Sequence, residues 1–211
     1  MYNPGMVVEF EPTVPWTPRS ELGPHREDEY WALPDEPRCE LLFGRLYVTP
    51  SPAFRHQAIL GLLYERLLPF ARPAGGWLVM APLDVRMAVH SVVQPDLLWI
   101  STTRGAIQPN GRLAGIPELA VEILSPDSGR RDRGEKLKLY AESGVVEYWI
   151  VDPEAESFDF LTLREGRYEV RLAGDGVYRS AAISGLELDV DAFWPDLARR
   201  ERGEPTPRGR E

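Results

Sequence analysis

The sequence predicts a mixed α/β (α+β) domain, a central sheet of strands flanked by helices. Three observations point there. Residues 118–124, ELAVEIL, form an apolar run with the length and flanks of a buried strand. Apolar positions 59, 62, 63, 67 and 70 in HQAILGLLYERLLPFA recur at helical spacing. Short strand-like segments and turn signals then alternate with a second helical stretch near residues 131–143.

Taken in order, CELLFGRLYVT (39–49) reads as a hairpin turning at Phe43-Gly44. Ser51-Pro52 leads into the first long helix, and Gly75-Gly76 closes that region. Trp77 to Met87 reads as one strand and Val92 to Ile100 as another. After ELAVEIL, Ser125-Pro126-Asp127 breaks the chain. A helix over 131–143 follows, with Gly144 suited to its C-cap. EYWIV (147–151) is the next strand, closed by Asp152-Pro153. Segments 158–163, 167–172 and 177–178 suggest an additional β meander ending near Leu186-Glu187-Leu188. Residues 1–25 are proline-rich without periodicity and read as a mobile arm. Residues 199–211, RRERGEPTPRGRE, read as a disordered tail, leaving one domain over 26–198.

The chain of 211 residues is long enough for one full core, and its 43% apolar and 27% charged content is that of a globular protein. The single Cys39 excludes an internal disulfide. No run approaches the roughly 18 apolar residues of a membrane span, and no signal peptide opens the chain, which predicts a cytoplasmic protein. The net charge of −9 argues against tight non-specific DNA binding, which draws on basic surfaces. It does not exclude a nuclease, because a carboxylate cluster for metal itself adds negative charge.

Lysine occurs only at Lys136 and Lys138, both in the second helix, among 24 basic residues. Lysine is a compact charge whose pKa shifts on burial, whereas arginine is an always-charged planar fork, so the confinement suggests a task arginine cannot perform. Asp96 opens an apolar strand and Glu122 lies inside ELAVEIL. A carboxylate in a buried strand is costly unless paired or metal-bound. On neighbouring strands the two fit an oxygen-ligated hard cation, Mg²⁺ or Mn²⁺. The bland alternatives are a salt bridge from Glu122 to an arginine and a turn role for Asp96. At about 100° per residue, the helix's apolar face centres on Leu137. Lys136 and Lys138 then flank it on opposite sides, Lys136 with Tyr140 and Asp132, and spacing alone does not choose between them.

The run from Gln94-Pro95-Asp96 through PELAVEILSPDSGRRDRGEKLKLYAESGVVEYWIVDP resembles the Uma2 family of restriction-endonuclease-like proteins in the PD-(D/E)XK nuclease superfamily. CELLFGRL, SPAFRHQAILGLL and APLDVRM extend the resemblance over about residues 30–194. It implies a restriction-endonuclease-like sheet in which Asp96 and Glu122 bind the metal. The superfamily's usual lysine, two residues after the glutamate, is replaced here by Leu124. The resemblance places it instead at Lys136, which would act on the attacking water or the transition-state charge. Glu40 matches a recurring glutamate that completes the carboxylate set. His56 matches a position at the start of the first long helix, where a hydrogen bond to a loop is the competing role. Lys138 does not match, and Asp84 reads as structural. The implied protein is an Mg²⁺-dependent endonuclease acting on DNA, paired as a homodimer to cut two strands. Its rivals are a catalytically silent nucleic-acid-binding or regulatory module on the same fold, and a scaffold whose carboxylates only pair with arginine.

Overall fold

The computed structural model describes residues 22–108, 111–126 and 128–205. Its elements are α1 (Glu27–Trp31), β1 (Cys39–Leu42), β2 (Arg45–Val48), α2 (Phe54–Ala71), β3 (Gly76–Met80), β4 (Val85–Ala88), β5 (Ser91–Val93) and β6 (Leu97–Ser101). There follow β7 (Gly105–Ile107), β8 (Leu113–Gly115), β9 (Leu119–Ile123), α3 (Gly129–Arg131), a π-helical turn (Asp132–Lys136) and α4 (Leu137–Ser143). The chain continues through β10 (Glu147–Asp152), β11 (Ser157–Arg164), β12 (Arg167–Arg171), β13 (Val177–Arg179), β14 (Glu187–Asp189) and α5 (Val190–Glu201).

Two six-stranded sheets form, in the orders β2-β1-β5-β4-β8-β7 and β12-β11-β10-β9-β6-β3, with a separate β13-β14 ribbon. In the second sheet β9 and β10 run parallel, and their neighbours are antiparallel. The expected meander is thus two parts, β11-β12 extending the main sheet and β13-β14 standing apart.

Alternation along the strands sorts the core. Leu119, Val121, Ile123, Trp149 and Val151 face α2 and α5, packing on Ile59, Leu63, Phe193 and Leu197. Ala120, Tyr148 and Ile150 face the other way, toward α4 and the first sheet, against Leu139, Tyr140, Val85 and Leu42. Glu122 belongs by parity to this second face, which determines what it meets.

Two expected strands are each two strands. The stretch 77–87 divides into β3 and β4 around Pro82, and 92–100 into β5 and β6 around Pro95, with each half in a different sheet. Proline lacks the amide a ladder needs, so the chain crosses between sheets there. The arm expected over 1–25 lies mostly outside the described residues, but Gly23 and His25 donate backbone hydrogen bonds to the Phe43 and Gly44 carbonyls. Of the tail expected over 199–211, residues 199–201 belong to α5, with Arg199 and Arg200 paired to Asp196. Residues 206–211 of that tail lie outside the described residues. Among the described residues no helix is long and apolar enough to cross a membrane.

Candidate active site

Asp96 and Glu122 come together at one end of the second sheet. Leu97 pairs with Val121 across the antiparallel β6-β9 ladder, so Asp96 and Glu122 occupy the next positions outward. Asp96 Oδ2 accepts the Ile123 amide at 2.7 Å and lies 3.2 Å from His56 Nε2, which α2 brings in from its first turn. His56, at the start of α2, is thus hydrogen-bonded to the bend that precedes β6, through the Asp96 carboxylate.

Lys136 resolves the choice left open by spacing. Its side chain is 3% exposed, with Nζ 2.8 Å from Glu122 Oε1 and 3.0 Å from Glu40 Oε1. Lys138 is 45% exposed, paired with Glu142 and lying over the Phe43 ring. The inward face is Lys136, Leu139, Tyr140 and Ser143, with Leu137 only half-buried, so the expected centring on Leu137 is corrected. Two causes act together. The π turn breaks the 100° count through residues 132–136, and carboxylates waiting on β1 and β9 make a buried ammonium tolerable. The partner of Glu122 is therefore this lysine and not an arginine.

Around this pair lies a buried polar cluster. Tyr140 donates to Glu122 Oε1 at 2.7 Å, and the Gln94 amide donates to Glu40 Oε1 at 2.7 Å. Asp132 Oδ1 is 3.8 Å from Lys136 Nζ and 3.9 Å from Arg131 Nε, and Arg131 Nε is also 3.9 Å from Glu40 Oε2. Glu40 Oε2 and Asp132 Oδ1 are buried without a hydrogen-bond partner. Tyr148 donates to the Asp132 backbone carbonyl at 3.0 Å, which supports the π turn. Asp84 accepts hydrogen bonds from Tyr30 and Gln94.

Burial raises Glu122 well above the ordinary carboxylate range, Lys136 offsetting part of the effect and Asp132, Asp96 and Glu40 adding to it. Burial likewise raises Asp132. For Lys136 burial acts downward, but Glu122, Glu40 and Asp132 outweigh it and hold the ammonium above its ordinary value. The lysine stays charged. Glu40, Glu122 and Asp132 thus surround Lys136, with Arg131 beside Glu40 and Asp132.

Sequence reasoning missed Arg131 and Tyr148. Arg131 is one of many arginines, and Tyr148 lies in a strand that looks like ordinary core. Both join the cluster through Asp132, which the π turn places, and a π turn has no simple sequence signature.

A family model for Uma2, "Putative restriction endonuclease", matches residues 27–191. The chain belongs to the Uma2 family. Among solved structures, one similar to this chain is the crystal structure of a putative nuclease belonging to DUF820 from Anabaena variabilis. It superposes with a TM-score of 0.69 at 22% identity, covering 82% of this chain and 99% of that one. The comparison with curated proteins returns no match. The Uma2 chain described here therefore has the restriction-endonuclease-like fold, a mixed sheet flanked by helices.

Proposed function

We propose that this Uma2 protein is a metal-dependent endonuclease that hydrolyses DNA phosphodiester bonds, with Asp96 and Glu122 as ligands of Mg²⁺ or Mn²⁺. The observation that carries this reading is the meeting of two carboxylates on adjacent strand ends with a buried lysine on one of them. The donor set suits the ion. Mg²⁺ takes one or two carboxylates and completes its shell with water and substrate phosphate. Asp96 and Glu122 supply such a pair, and among the described residues no group of three or more His, Cys, Asp or Glu is arranged to hold a metal. Surplus carboxylate and two orphaned buried oxygens give a cation an electrostatic reason to enter. When bound, such an ion polarises a phosphoryl oxygen and lowers the pKa of water.

The chain's own residues supply the rest. Lys136 is too firmly protonated to act as a base. Two of its three N–H groups go to Glu40 and Glu122, and the third would meet the attacking water or the phosphoryl oxygen. Glu40 holds Lys136 and is itself fixed by the Gln94 amide. His56 is a positioning residue for Asp96. The DNA substrate and a cytoplasmic setting belong to the same proposal.

The competing reading, a catalytically silent nucleic-acid-binding module, draws on the near-complete burial of Lys136 and the net charge of −9. Incubation with plasmid and oligonucleotide DNA in Mg²⁺ or Mn²⁺ separates the two. Cleavage is expected, reduced at least about 10²-fold in Glu122→Gln and Lys136→Ala, as for loss of one transition-state contact. Lys138→Ala should cut like wild type. Metal binding without cleavage of any DNA would favour the silent module.

A further inference from the structure

β12 is the outer strand of the second sheet, and it exposes apolar side chains between charges of alternating sign. Val170 is 64% exposed and Leu172, just past the strand, 87%. Free backbone groups on an open edge recruit other strands, and the signs of the charges along it decide which register fits. Here the register of the hairpin shows which groups are free. Arg164 and Arg167 close it around Glu165 (φ 48°) and Gly166 (φ 76°), both left-handed, as in a two-residue type I′ turn. Such a turn makes Arg164–Arg167 a hydrogen-bonded pair, and pairs alternate from there. Arg167, Glu169 and Arg171 therefore direct their backbone groups at β11, while Tyr168 and Val170 turn theirs outward.

We infer that two copies of this chain associate through β12, antiparallel about a two-fold axis at Val170. The charges select that register. Centred on Val170, each Glu169 lies opposite Arg171 of the second copy, and each Tyr168 lies opposite Leu172. Centred on Glu169, like charges would oppose: Glu169 with Glu169 and Arg167 with Arg171. Centred on Tyr168, Arg171 and Leu172 would have no strand partner. Unlike the register centred on Glu169, the Val170 register also places outward-facing backbone groups on the axis, so that the two valines exchange both hydrogen bonds. Glu169 and Arg171 already lie 3.2 Å apart within one chain, and the joint closes them into a four-membered ion-pair square. Two six-stranded sheets would become one continuous sheet. A joint of two short strands falls at the small end of interfaces, below roughly 1,200 Å², so association should be reversible.

Sedimentation velocity over a concentration series tests this without reference to nuclease activity. Wild type should show a monomer–dimer equilibrium. Glu169→Arg and Arg171→Glu should each weaken it at least tenfold, and the double exchange should restore it. Val170→Lys serves as a further disrupting variant, with circular dichroism confirming the fold of each. A wild type monomeric at every concentration, or a dimer indifferent to all of these changes, would overturn the inference.

Discussion

Removing an ammonium from water costs several kcal/mol unless carboxylates meet it, and at Lys136 two do. Replacing it with methionine leaves Glu122 without its cation and Glu40 with only Arg131, 3.9 Å away. The expected loss is about 3–5 kcal/mol in urea unfolding, against about 1 kcal/mol or less for Lys138→Ala at an exposed pair. The pH dependence carries a second signature. Because the native ammonium titrates above its unfolded value, its contribution is complete below about pH 10.4 and drains away as pH rises beyond. Lys136→Met should therefore flatten the alkaline limb of stability against pH, and an unchanged slope would refute the ion-pair account. The scarcity of lysine pointed to this helix from the sequence alone. Which lysine enters the core did not follow from spacing, because the π turn displaces the helical count.

That π turn is the element on which the site depends. It carries Asp132 and Lys136 together, and π bulges recur at functional sites. Its Asp132 carbonyl is met by the Tyr148 hydroxyl from β10, inside the core. Tyr148→Phe should cost about 1–3 kcal/mol, the penalty of a buried acceptor left unpaired, as read by chemical unfolding. A cost near zero would mean that the turn holds without it. Elements with strong periodicity were legible: α2, β9, β10 and the β1-β2 hairpin. Pro82 and Pro95 were visible in the sequence, but the exchange of sheets at each was not, since nothing local says where the next strand pairs. Strands β7 and β8, three residues each, are too short to show alternation, and Pro195 interrupts the pattern of α5.

At the scale of the molecule, two sheets stack so that β1 delivers Glu40 across the core to a lysine held against β9. That long-range closure is what no local pattern announced, although each carboxylate was identifiable alone. The net charge of −9 disfavours non-specific binding to a phosphate backbone, and the proposed metal would enter at the sheet end that holds Asp96 and Glu122. Titration calorimetry with Mn²⁺ and Mg²⁺, on wild type and Asp96→Asn, tests this most directly. The account predicts binding by the wild type that disappears in the variant while its fold persists. A folded wild type that binds neither ion, with or without DNA present, would contradict it.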